Sequence, residues 1–120
     1  LSRYIPSTGP VEEKIARFLF RQLASAVEFM HDQNVAHFDI KLENILLDKY
    51  FNIKLADFGT AEILESSNSR FSYKKGTVLY MAPEVANCSE KRSSYSPFMA
   101  DIYSLGISLY LMLFGEFPLQ

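Results

Sequence analysis

The sequence predicts an α+β fold, mainly helical, with one short β-hairpin, and incomplete as it stands. Three observations predict it: an amphipathic helical stripe over residues 11–33, two extended pieces joined by a polar turn, and a last helix apolar on every face with little chain left to cover it. The 120 residues suit one domain, and 48% apolar against 22% charged residues is globular composition.

In the first helix Ile15, Phe18, Leu19, Leu23, Ala26, Val27 and Met30 recur at steps of three and four. Thr8 or Gly9 caps it, Pro10 fits its first turn, Glu12 and Glu13 suit the positive end of its dipole, and Asn34 is a left-handed stop. Residues 45–47 and 53–56 are the strands, with 48–52 polar enough to turn between them. Residues 65–75, rich in serine and without apolar pattern, read as an exposed loop, and 87–96 is a second polar stretch. Ser96 and Pro97 start the last helix and Gly115 ends it. A helix apolar all round needs cover all round, so the sequence reads as a piece of a larger domain.

Composition excludes several function classes. Twelve Lys and Arg against fourteen Asp and Glu give a net charge of −2, which argues against a nucleic-acid binder. Lys74-Lys75 and Lys91-Arg92 are too short for a basic patch. The single cysteine, Cys88, excludes an intramolecular disulfide or Cys-based zinc site and reads as an incidental loop residue. It suits a reducing compartment and, with no leader pattern after Leu1, a cytoplasmic location is expected. Residues 102–114 are too short and too interrupted to span a bilayer, so no membrane partner is expected. His31 reads as a surface residue, and Met30, Met81, Met99 and Met112 as core or near-core.

The chemistry sits in His37-Phe38-Asp39-Ile40-Lys41-Leu42-Glu43-Asn44 and in Asp57-Phe58-Gly59. Bringing the hairpin ends together puts Asp39, Lys41, Asn44 and Asp57 into one small volume. Asp57 and the Asn44 amide oxygen are hard ligands suited to Mg²⁺ shared with phosphate oxygens. Lys41 is a cation able to follow charge on a transferring phosphoryl group. Asp39, with an ordinary pKa of about 3.9, is a poor base at neutral pH. Its role is to orient a hydroxyl and accept its proton late.

These residues resemble the C-terminal lobe of a eukaryotic protein kinase, over essentially all of residues 1–120: a catalytic loop from His37 to Asn44, Asp57-Phe58-Gly59, then Gly76-Thr77, Ala82-Pro83-Glu84 and Asp101 in the right order. At about 5% per residue type, five fixed positions alone arise by chance about once per few million starts. The resemblance implies ATP and Mg²⁺ as cofactors and a protein Ser or Thr hydroxyl as acceptor. It implies that Asp39 receives the hydroxyl, that Asn44 and Asp57 hold Mg²⁺, that Lys41 contacts phosphate, and that Leu46 lies under the adenine. It further implies that Thr77 bridges Asp39 and Lys41, that His37 and Phe58 stack, and that Asp101 bonds the catalytic-loop backbone. Glu43 is implied to meet a basic residue upstream of the target, and Glu84 to pair with an arginine of later helices. Lys41 and Thr77 favour the Ser/Thr type, and the general look resembles the calcium/calmodulin-dependent-kinase-like group.

Two departures stand out. Position 38 is Phe where the family usually has an arginine that pairs with a phosphorylated activation segment, so switching through that contact is not expected. No glycine-rich loop, lysine strand or partnering glutamate of an N-terminal lobe is present, so the lobe is expected in the full-length protein and the 120-residue chain alone is expected to be inactive. The alternatives are a non-catalytic kinase-like scaffold, which Phe38 favours, and a small-molecule phosphotransferase of kinase-like fold, against which Lys41, Gly76-Thr77 and Ala82-Pro83-Glu84 speak.

Overall fold

A computed structural model describes residues 1–5, 9–89 and 93–118. Helix α1 spans Glu13–Asp32 and buries Ala16, Leu19, Leu23, Val27 and Met30. Leu19, Leu23, Val27 and Met30 follow the predicted stripe, Ala16 joins them from outside it, and Phe18 stays exposed. The helix begins after Glu12, without a side-chain cap, rather than at Gly9; Pro10 lies outside it, and Thr8 lies outside the described residues. Pro10 instead packs beside Gly115, with the Val11 N–H donating to the Met112 carbonyl at 2.8 Å. The chain entering α1 is thus fixed by the end of the last helix. Asn34 adopts φ 61°, the left-handed stop expected of it.

Two small antiparallel ladders follow. Strand β1 (Val35–Ala36) pairs with β4 (Glu62–Ile63), and β2 (Ile45–Leu47) pairs with β3 (Ile53–Leu55). The β2–β3 turn closes on Asp48, whose Oδ1 accepts the backbone N–H groups of Tyr50 and Asn52 at 2.8 and 2.9 Å. The Gln22 amide ties this hairpin to α1, donating to the Phe51 carbonyl at 2.7 Å and accepting from Ile53 N–H at 3.0 Å.

Short helix α2 (Pro83–Ala86) precedes α3 (Pro97–Phe114). Ser96 caps α3 through the Met99 N–H, Pro97 opens it, and Gly115 closes it at φ 74°, all as read from the sequence. One side buries Ala100, Ser104, Ile107, Ser108 and Leu111 against α1 and the loop after it, whereas Ile102, Tyr103 and Phe114 are exposed. By length and hydropathy α3 is able to cross a membrane, because the helix extends the 102–114 stretch to 18 residues; half of it is buried within the protein, as in a core helix. Met30 and Met112 are core residues, but Met99 is 62% exposed, contrary to its near-core reading.

The serine-rich loop is exposed as far as Arg70 and then is not a loop in solvent. Phe71 and Tyr95 form an antiparallel bridge, exchanging backbone hydrogen bonds of 3.0 and 2.9 Å. A second, smaller core gathers there, with Ala36, Phe38, Ala82, Val85, Tyr95 and Ala100 buried. Aromatic pairs between distant segments carry this cluster, and no local periodicity announces it.

Candidate active site

The loop from His37 to Asn44 lies between the two ladders, and its backbone is fixed from below by α3. Asp101, 1% exposed, accepts His37 N–H at 2.8 Å and Phe38 N–H at 3.0 Å, and its Oδ2 lies 2.9 Å from His31 Nε2. His31 is therefore no surface residue: it sits edge-on to Phe98 at 4.9 Å and shares Asp101 with the loop. Its place off the apolar stripe concealed this, because the partner comes from 70 residues away.

His37 is fully buried, and its ring bonds the Ala56 carbonyl at 2.8 Å and meets the Phe58 ring edge at 5.0 Å. The Thr60 hydroxyl donates to the His37 carbonyl at 3.0 Å. Phe38 holds φ 73°, a left-handed conformation unfavourable for a bulky residue, and the surroundings over-determine it. Besides the Asp101 bond, its ring packs on Phe71 at 4.8 Å and near Tyr95 at 6.5 Å, with the Lys75 ammonium 4.4 Å from its centroid. Burial, then the charges of Cys88 and Asp101, push the Tyr95 hydroxyl up to about 12, so it remains a donor, to the Tyr73 carbonyl.

Around Asp39 the polar groups converge. The Thr77 hydroxyl donates to Asp39 Oδ1 at 2.7 Å and accepts from Lys41 Nζ at 2.9 Å, while Lys41 Nζ lies 3.6 Å from Asp39 Oδ2. Asn44 donates its amide N–H to the Asp39 carbonyl at 2.8 Å, which orients the amide and leaves its oxygen as an acceptor. The Ala56 N–H donates to the Asn44 carbonyl at 2.8 Å, bringing the Asp57 backbone alongside the loop. Asp57 adopts φ 57° and is exposed, its carboxylate tethered by a single 3.3 Å bond from Gly59 N–H. Among the described residues no cluster of three His, Cys, Asp or Glu is able to hold a metal.

The segment bearing Thr77 reaches the loop at close range. Gly76 has φ 116°, and a Cβ there would lie 2.7 Å from the Phe38 carbonyl oxygen, so only glycine fits. The Tyr80 hydroxyl accepts Leu42 N–H at 3.3 Å and donates to Glu43 at 3.4 Å, and burial raises its pKa. Ser104 of α3 donates to the Tyr80 carbonyl at 2.8 Å. Tyr80, Thr60 and Ser104 were missed in the sequence, because ordinary polar residues with long-range partners leave no spacing signal. Leu46 is exposed on β2. Glu84 is also exposed.

Comparison with known proteins adds to this geometry. A model of the protein kinase domain matches residues 1–120. The chain is 44% identical over 122 residues to testis-specific serine/threonine-protein kinase 2 of Mus musculus, covering 98% of this chain and 33% of that protein. It is 40% identical to CBL-interacting serine/threonine-protein kinase 15 of Arabidopsis thaliana (95% and 27% covered) and 39% identical to serine/threonine-protein kinase ULK3 of Homo sapiens (98% and 24%). The chain spans a third or less of the length of these curated relatives.

Proposed function

We propose, on the premise that this chain belongs to the eukaryotic Ser/Thr protein kinase family, that the full-length protein transfers the γ-phosphoryl group of ATP to a Ser or Thr hydroxyl of a protein substrate. Membership rests on the match across residues 1–120 and on the Ser/Thr kinases it resembles. The observation that carries the proposal is the continuous set of contacts from Asp39 through the Thr77 hydroxyl to Lys41.

In this reading Asp39 orients the incoming hydroxyl and takes its proton as transfer completes. Thr77 holds one oxygen of Asp39, so the carboxylate has a fixed rotamer before substrate arrives. Lys41, held by Thr77, faces the charge on the transferring group. Two hard oxygens, Asn44 and Asp57, fit Mg²⁺ shared with ATP phosphates, and they would hold it there. Bound Mg²⁺ supplies neutralisation of phosphate charge. Leu46 on β2 supplies apolar surface for the adenine, and Glu43, anchored by Tyr80, offers a carboxylate to a basic residue upstream of the target. Glu84 is kept for a cationic partner.

The test is transfer by full-length protein to a peptide library with Mg²⁺ and ATP. Asp39→Asn is expected to lower kcat about 10²–10⁴-fold with nucleotide affinity nearly unchanged. The second reading, a non-catalytic scaffold, is favoured by Phe38; nucleotide binding without transfer, and no effect of Asp39→Asn, would select it.

A further inference from the structure

Arg70 and Ser94 face each other directly beside the Phe71–Tyr95 bridge. The Arg70 guanidinium donates from Nε to Ser94 Oγ at 2.8 Å and from its terminal nitrogen to the Ser94 carbonyl at 2.7 Å. Both residues are exposed, and in the sequence Ser94 follows Lys91-Arg92-Ser93.

We propose that Ser94 is a phosphorylation site whose phosphate is held by Arg70, so that modification clamps residues 70–73 onto the strand-like stretch before α3. The modifying enzyme is a protein kinase that reads basic residues upstream of its acceptor, here Lys91 and Arg92. The Ser94 oxygen bonds to the γ-phosphorus of ATP as the bond from that phosphorus to its bridging oxygen breaks; ADP leaves, and the hydroxyl proton passes to the modifying enzyme's base. The product carries close to two negative charges and three strong acceptors at an arginine already aimed at the same oxygen. Arginine's planar fork suits a two-point contact with phosphate.

The neighbouring serine makes the assignment specific. Ser93 Oγ is engaged by Ser89 N–H at 2.9 Å and lies 3.6 Å from Cys88 Sγ, and among the described residues no arginine bonds it. The arrangement also reverses the usual polarity of the family named above. Phe38 cannot receive a phosphate from the segment, but the segment carries a cation of its own, turned toward a hydroxyl outside it. The inference stands whether or not the protein itself transfers phosphate.

The experiment treats full-length protein with ATP and a basic-directed protein kinase, maps the phosphate by mass spectrometry, and follows hydrogen exchange at the Phe71 and Tyr95 amides. Phosphate on Ser94 is expected to slow both amides about two- to five-fold. R70A is expected to accept the phosphate but lose the slowing, and R70K to keep part of it. Phosphate confined to Ser93 or Ser89, or equal slowing in R70A, would overturn the proposal.

Discussion

The loop from His37 to Asn44 is held from two sides by unlike means. Toward α3, one buried carboxylate, Asp101, serves two backbone N–H groups and His31. Toward residues 71–75, aromatic rings and the Lys75 ammonium press on Phe38 with no charge pair. Position and strain are thus controlled separately. Asp101 fixes where the loop backbone runs, and the aromatic side holds Phe38 in its left-handed conformation. Polar support of this buried kind fails all at once, because removing the acceptor leaves donors with neither protein nor water. Aromatic support fails by degrees, since each ring still touches others.

The largest expected effect comes from removing Asp101. Asp101→Ala orphans two buried N–H groups and is expected to cost about 3–5 kcal/mol, read as a shift in denaturant midpoint, with Asp101→Asn losing less. A loss no greater than that of a surface substitution would erase the distinction between the two sides. Next is Phe71→Ala, expected to cost about 1–2 kcal/mol because Phe71 is only half-buried, with Phe71→Leu recovering most of it. Were Phe71→Ala as damaging as Asp101→Ala, the aromatic side would not be graded. Lys75→Ala is expected to cost about 0.5–1 kcal/mol through the lost ring contacts, and Lys75→Arg nearly nothing.

The smallest effect belongs to Asp48, which repeats Asp101's bonding pattern in solvent. Its carboxyl is held below the ordinary 3.8, first by the Asn52 N–H and also by Tyr50 N–H and nearby Lys54. A depressed carboxyl stabilises the fold above its unfolded value and loses that contribution as pH falls through its folded one. Protection of the Tyr50 and Asn52 amides, taken relative to the intrinsic exchange rate at each pH, is therefore expected to fall as pH drops below about 3.8, and Asp48→Asn to abolish that step. Its stability loss should stay far below that of Asp101→Ala; similar losses would show that burial is not what makes Asp101 decisive.

Much of this was legible in the sequence where the cause is local. The α1 stripe, the Asp48 turn, the Ser96 cap and the Gly115 stop each depend on residues within one or two turns of one another. The polar set at 37–44 and 57–59 stands out in the sequence because its residue types and spacing mark it, and the contacts among Asp39, Lys41, Asn44 and Thr77 are what the structure adds. What was not legible depends on long-range pairing. His31 looked like a surface residue because its partner is in α3, and residues 71–75 looked like open loop because Phe71 pairs with Tyr95. The β1–β4 ladder, two residues a side, is too short to leave an alternating pattern.

The close approach at Gly76 bears on inherited variation. An alanine at 76 would drive its methyl into the Phe38 carbonyl, separating the segment from the loop, so nearly every missense allele at that codon should be lost. Gly106, mid-helix with open space around an added methyl, should accept alanine and gain roughly 0.5–1 kcal/mol. The same residue type thus meets opposite tolerances at positions 76 and 106 of these 120 residues.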